Sequence, residues 1–393
     1  MSQGNGASQG DRAPARVVGV VFGGPSPEHD VSILTGLQAA RALQAGGDQA
    51  RVEAVYWTKA GTFVAVDPGL EAEAFLEGPP RGSRELRFVA QPGGGFFSAR
   101  SGIRGGERRL ELDAVVNCCH GGPGEDGALQ AALDMAEVPY TGPTSAGAAL
   151  GMDKLAFGGA VRAAGLPVLP RQLVLPGGKA PDWDGFTGPY IVKPRFGGSS
   201  IGIEVISDWA DVVRFVGLGG PHAARGMVAE PYQEGAADVE VAMRAFPAFE
   251  LSLFARALRS GAGPVLSYSD KYLGGEGMVS APRELPATLP DGQEELLSQA
   301  ARLVASLVGL RGVWRLDFLV GPGSGAWWVN EVNTVPGSLS KYLWTGQAEH
   351  AFASLLTDMV AEARSRPGAR WSSTGADGSA LRSAAAIASK LGQ

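Results

Sequence analysis

The opening strand, helix and strand constrain the fold most. "RVVGVVFGG" (16–24) is an apolar run ending in two glycines, the pattern of a buried strand and its turn. "DVSILTGLQAARAL" (30–43) follows with helical spacing of its apolar residues, and "RVEAVYW" (51–57) supplies the next strand. A strand–helix–strand unit predicts a parallel pair joined by a right-handed crossover. "LDAVVNCCHGG" (112–122) is a further strand with a glycine-rich end, and "GALQAALDMAEV" (127–138) a helix. Residues 16–142 are therefore expected to form one α/β domain behind a disordered leader at 1–15. Gly, Pro and Arg between 78 and 109 predict irregular hairpins and loops there.

The pattern then changes. "PYIVKPRFGGSSIGIEVI" (189–206) reads as strand, glycine loop, strand, "DWADVVRFVGL" (208–218) as helix and "GMVAEPY" (226–232) as strand. This gives a small α+β unit over 143–231. Antiparallel strands are expected in "DVEVAMRAF" (238–246), "AFELSLFARAL" (248–258) and "GPVLSY" (263–268). A long amphipathic helix, "GQEELLSQAARLVASLVGL" (292–310), precedes two strands, "GVWRLDFLV" (312–320) and "AWWVNEVNT" (326–334). These make a second α+β unit over 232–365. The tail, 366–393, reads as a linker and a short helix without assigned function.

Composition narrows the class. The 393 residues are 45% hydrophobic and 19% charged, as in globular proteins, with room for two or three domains. A net charge of −6 argues against a general nucleic-acid binder. No apolar run reaches the ~18 residues of a membrane span, and the N-terminus lacks the apolar core of a signal peptide. The two cysteines, Cys118 and Cys119, are adjacent and unsuited to pairing, which fits a reducing, cytoplasmic setting. Four histidines make a His-rich metal centre improbable.

Five motifs carry chemistry. On strands with a side-chain period of two, Asp317 shares a face with Arg315, and Glu331 with Asn333. If the two strands pair, two carboxylates and an amide oxygen face one space. These are hard oxygen ligands suited to Mg²⁺ beside phosphates; the alternative is an ordinary solvated sheet face. "KPRFGGSSIG" brings backbone N–H groups within reach of phosphates and has Lys193 on the preceding strand, or is a hairpin without a ligand. In "HGGPGEDGALQ", His120 sits at the strand end where α/β sheets bind ligands, while Glu125 and Asp126 favour the following helix N-terminus. In "GGPSPEHDVS", Glu28 could pair with a substrate ammonium or simply charge a helix N-terminus. In "SYSDKYLGGEGM", Lys271 and Tyr272 precede glycines that could close as a lid, or form an exposed loop.

Six blocks occur in one order: "GGPSPEHDVSILT", "HGGPGEDGALQAALDMAEVPYTGPTSAGAALGMDK", "VKPRFGGSSIGI", "DKY", "RLDF" and "NEVNTVPG". Together, over roughly residues 16–345, the chain resembles the D-alanine–D-alanine ligases of the ATP-grasp superfamily. The resemblance implies a three-domain ATP-grasp fold and ATP-dependent joining of two amino acids through an acyl phosphate, in peptidoglycan precursor synthesis. The alternative on the same scaffold is a dipeptide ligase with another acceptor. It further implies phosphate binding by Lys154, Lys193 and Lys271, adenine by Glu230, ribose by Asp238, and two Mg²⁺ or Mn²⁺ ions on Asp317, Glu331 and Asn333. Glu28 would take the first ammonium and His120 the first carboxylate. Ser199 and Tyr272 would bridge to Glu28, and Tyr272 favours an amide product. Arg315 and the Gly337 N–H would hold the tetrahedral oxyanion. Members of the family are often dimeric.

The sequence departs from the family after the Pro-Gly turn. The family places a serine and a leucine there to grip the second substrate's carboxylate. Here Tyr342 stands where the serine is expected, followed by Leu343. Arg195, Phe196 and Gly197 also differ from the usual run.

Overall fold

β1 (Val17–Gly23) lies between β2 (Arg51–Trp57) and β7 (Ala114–Asn117) and pairs with both in parallel. The crossover helix α1 (His29–Ala45) connects β1 to β2 as the sequence predicts. The computed structural model describes residues 17–46, 50–99, 106–220, 223–258, 281–323, 325–345, 351–366, 368–369, 371–383 and 387–390. Lys271, Tyr272 and the expected strand 263–268 lie outside these residues.

The described residues between 78 and 109 are more regular than their composition suggests. β3 (Phe63–Val66), β4 (Arg84–Val89), β5 (Gly95–Ala99) and β6 (Glu107–Arg109) add antiparallel strands to the outer side of β2. The sheet order is β6-β5-β4-β3-β2-β1-β7. Cross-strand pairs such as Phe88 opposite Phe96 supply apolar contacts that outweigh the glycines and arginines of local sequence.

Alternation sorts β1 between two cores. Val18, Val20 and Phe22 face one, and Val21 faces the other with Leu129 and Leu133 of the helix Ala128–Met135. The first core also takes in Val335, Leu339, Tyr342 and Leu343, and Leu355 and Leu356 of a helix at Phe352–Ser365. The chain thus returns from its last sheet to pack beneath its first.

Two smaller sheets complete the architecture. One has the order β10-β9-β11-β8, from β8 (Gln172–Val174), β9 (Tyr190–Pro194), β10 (Glu204–Ile206) and β11 (Met227–Pro231). The other has the order β15-β14-β12-β16-β17, with β12 (Ala237–Arg244), β14 (Ala255–Ala257), β15 (Arg283–Glu284), β16 (Val313–Val320) and β17 (Trp327–Asn333), while β13 (Glu250–Leu251) also pairs with β12. The long helix Gln293–Val308 buries Leu297, Ala301 and Val304 against this sheet, in the same core as Trp314 and Phe318. This mixed α/β and α+β arrangement matches the expected fold class.

α1 packs on β1 with no spare room. A Cβ on Gly36 would fall 2.4 Å from both Cβ and Cγ of Phe22. Ala is favoured over Gly in helices by ~1 kcal/mol. Overpacking against a side-chain root that no rotamer can move costs about 1–3 kcal/mol. The second effect should win, so Gly36→Ala should lower the melting temperature; a higher one would contradict this packing.

Candidate active site

Two cavities meet between the sheets. The larger encloses about 1100 Å³ of space open to solvent and has apolar walls that include Leu169, Ile191 and Val239. Lys193, Glu230 and Asp238 also line it. The smaller, about 620 Å³, is lined by Glu28, His120, Lys154, Ser199 and Gly337 among others. Arg315 and Glu331 border both; Asp317 faces the larger and Asn333 the smaller.

Register explains that junction. Asp317 is directly opposite Glu331 across β16 and β17, and Arg315 opposite Asn333. The Arg315 guanidinium donates to both Asp317 oxygens at 2.7 Å, and Asn333 Nδ2 donates to Asp317 at 3.1 Å. Lys154 Nζ lies 3.1 Å from Glu331 Oε2. Two carboxylates and an amide oxygen on facing positions fit a hard divalent cation by donor chemistry. The positive groups now beside them show that the site is built for compensated charge.

Ser199 faces the smaller cavity and Ser200 the larger, so the glycine loop spans the junction. Both residues have positive φ, 53° and 60°. The Ser199 hydroxyl donates to Glu28, and Lys154 donates to the Gly197 carbonyl. Glycine is required opposite: a Cβ on Gly121 would lie 2.5 Å from Glu28 Oε2. Arg195 is used elsewhere, pairing with Asp153 at 2.5 Å, the residue that caps the helix Lys154–Ala163. Phe196 lies under Arg195 and Arg225.

Glu230, expected to accept from adenine, lines the larger cavity with its carboxylate already engaged within the chain. Its carboxylate is buried 2.6 Å from Arg171 Nε and 3.0 Å from Lys193 Nζ. Burial would raise its pKa, but the two cations outweigh that and leave it below the ordinary value. Burial lowers the Lys193 ammonium. Arg171 also donates to the carbonyls of Lys154 and Asn330, tying the start of the helix Lys154–Ala163 to β17. It was missed in the sequence; a lone arginine within the apolar "LPVLPRQLVLP" was the available signal.

His120, expected to meet the first carboxylate, lines the smaller cavity and is held by the chain. Its Nδ1 is 2.7 Å from the Val335 carbonyl, so that nitrogen donates; Nε2 then accepts from the Thr35 hydroxyl at 2.7 Å. Burial lowers its pKa to about 4, which keeps the ring neutral. Both nitrogens being engaged within the chain, His120 positions the turn that carries Gly337. Tyr342 and Leu343 are buried and line neither cavity among the described residues. The Tyr342 hydroxyl instead accepts from Arg315 Nη1 at 3.0 Å, because a phenol reaches past the backbone position where a serine would stop.

Glu125 does more than charge a helix end. It ends the short helix Gly122–Glu125 and accepts from the N–H groups of Gly121, Thr334 and Val335 and from the Thr334 hydroxyl. Only the donors it meets across 209 residues of chain reveal this, so local sequence could not.

Comparison with known proteins follows the same blocks. Residues 17–143 match the family model "D-ala D-ala ligase N-terminus" and 161–361 match "D-ala D-ala ligase C-terminus". The chain belongs to the D-alanine–D-alanine ligase family. It is 30% identical over 380 residues to a D-alanine–D-alanine ligase of Mycobacterium tuberculosis, covering 91% of this chain and 98% of that one. It is 29% identical over 342 residues to one from Synechococcus, covering 84% and 92%. The fold resembles that of the D-alanine–D-alanine ligase of Coxiella burnetii, with a TM-score of 0.69 and 22% identity over 90% of this chain and 95% of that one. The family is one of ATP-dependent ligases that use a divalent metal. Among the described residues no helix is long and apolar enough to cross a membrane.

Burial, with Glu28 nearby, pushes the Glu125 carboxyl from 4.5 up to about 7, against the pull of its hydrogen bonds. Between those values the unfolded chain has released this proton and the folded chain has kept it. Stability should therefore fall as pH rises through that window. Melting temperatures from pH 4.5 to 7.5 should fall less steeply in Glu125→Gln than in the wild type; an identical slope would remove Glu125 as the cause.

Proposed function

We propose that this protein is a D-alanine–D-alanine ligase of peptidoglycan precursor synthesis, acting in the cytoplasm on ATP and two molecules of D-alanine. One observation carries the reading. The smaller polar cavity and the larger, partly apolar one meet at the hard-oxygen set Asp317, Glu331 and Asn333. A carboxylate in the first cavity would there face the terminal phosphate of a nucleotide in the second. The three sheets would form the cores of domains divided near residues 142 and 231, and the family tendency to dimerise favours a homodimer.

The donor's ammonium pairs with Glu28, whose carboxylate is held by Ser199. Its carboxylate oxygen attacks the γ-phosphorus, and the bond to the ADP oxygen breaks. Lys154 and Lys193 bring positive charge to the two sides of the junction. Asp317, Glu331 and Asn333 would hold two Mg²⁺ ions, which offset the charge of the transferring phosphoryl group. The acceptor's neutral amine then attacks the acyl carbon. Arg315 and the Gly337 N–H stabilise the oxyanion that forms, and phosphate leaves with one donor oxygen as the amide forms. The nitrogen releases its extra proton. Positioning and charge supply most of the acceleration.

A different amino-acid acceptor on the same chemistry is the second reading. It is favoured by Tyr342, which lines neither cavity and is spent on Arg315.

ADP release assayed with D-alanine, ATP and Mg²⁺ tests the main reading, with dipeptide formation as its product. Glu331→Gln should lower turnover at least about tenfold, a loss of roughly 1.4 kcal/mol of transition-state stabilisation, and should raise the Mg²⁺ concentration needed for half-maximal rate. Normal turnover at normal Mg²⁺ would remove Glu331 from the metal site.

A further inference from the structure

A third cavity adjoins Glu28. It holds about 720 Å³ of space open to solvent, between the loop after β1 and the glycine loop after β9. It shares Glu28, Met152, Gly197 and Gly198 with the smaller cavity of the junction. The shared wall is thin because glycines form much of it. A Cβ on Gly198 would stand 3.1 Å from Glu28 Oε2 and 3.2 Å from Oε1, and one on Gly121 would stand 2.5 Å from Oε2. The Glu28 carboxylate therefore lies against two side-chain-free positions where the cavities adjoin.

Away from Glu28 the third cavity changes character. Pro27, Met152, Pro194, Phe196 and Ile201 give it apolar walls. Arg225 also lines it, with Nη1 3.2 Å from Asp126 and Cζ 4.0 Å over the centre of the Phe196 ring. The acyl-phosphate and amide steps use none of these apolar side chains. Bond lengths connect the space to the substrate. An ammonium hydrogen-bonded to Glu28 holds its α-carbon within roughly 4.5 Å of a carboxylate oxygen. The side chain on that carbon thus begins where glycine backbone alone parts the cavities. A methyl group is too short to use the third cavity, whereas a longer apolar chain entering it would leave water together with the walls it covers.

We propose that the third cavity receives the side chain of the donor amino acid, so that the site accepts donors with unbranched apolar side chains longer than a methyl group. The inference rests on the ligase reading and widens the class of its first substrate. Ile201 lines the third cavity and neither of the other two, and it sets how much of that side chain fits.

A competition assay on the full chain tests this. ATP, Mg²⁺ and equal concentrations of D-alanine and D-norvaline would be supplied together, and the dipeptides sequenced by fragmentation in a mass spectrometer. The ratio of norvaline-first to alanine-first products reads the donor position alone, whatever the overall rate. In the wild type, norvaline-first products should reach at least about a tenth of the alanine-first ones. Ile201→Trp, which fills the cavity, should lower that ratio about tenfold or more. A Trp variant that slows both products equally makes the cavity an entry route or a support for the glycine loop, and overturns the proposal. A wild type that forms alanine-first dipeptides only overturns it too, even if the Trp variant does not fold. With D-glutamate added, glutamate-first products exceeding norvaline-first ones would assign the cavity to Arg225 and overturn its apolar preference. A wild type that forms no dipeptide at all overturns the ligase reading itself.

Discussion

The buried carboxylate of Glu125 holds the molecule's two ends together at the site. It receives three backbone N–H groups and one hydroxyl, from the loop after β7 and from the start of the turn after β17. His120 adds a bond to the Val335 carbonyl, and Thr35 accepts from the N–H of Ser338. What these bonds restrain is expensive. Ser338, Leu339 and Ser340 all take left-handed backbone angles, with φ of 49°, 47° and 54°. Each such non-glycine residue costs of order 1–2 kcal/mol. Burial of Leu339, Tyr342 and Leu343 in the first core offsets that cost. Gly337 is thereby held in the wall of the smaller cavity rather than left on a mobile loop.

Charge organises the other side of the junction. Arg171, Lys193 and Glu230 form a buried set whose desolvation is tolerable only because each ion has an opposite neighbour. Losing Glu230 alone would leave two buried cations facing each other. The same logic applies around Arg315, where Glu240 and Asp317 flank one guanidinium. Nucleotide phosphates and metal entering here would exchange partners within a field already near balance. That keeps the reorganisation needed for the reaction small.

Much of this was legible in the sequence, for identifiable reasons. Strand period and pairing sufficed to bring Asp317, Glu331 and Asn333 together, because register is a local consequence of two adjacent strands. The glycine loop and Glu28 were legible as motifs, and Ser199 joins them in contact. Arg171, Glu125 and Thr35 were not, because their roles exist only through partners far along the chain. Glu230 was assigned by family pattern to adenine, yet its oxygens are turned to two cations whose positions sequence does not give. Tyr342 was read as an acceptor contact. Its length carries its hydroxyl to Arg315, which borders both cavities, a distance that no pattern of residue types encodes.

The central claim is that donor carboxylate and nucleotide phosphate meet at the junction and form an acyl phosphate before the amide. Positional isotope transfer tests it directly. D-alanine labelled with ¹⁸O in its carboxylate would be turned over with ATP and Mg²⁺, and the released inorganic phosphate analysed by mass. The account predicts one ¹⁸O in phosphate for each amide bond formed. Amide formation with unlabelled phosphate would contradict it.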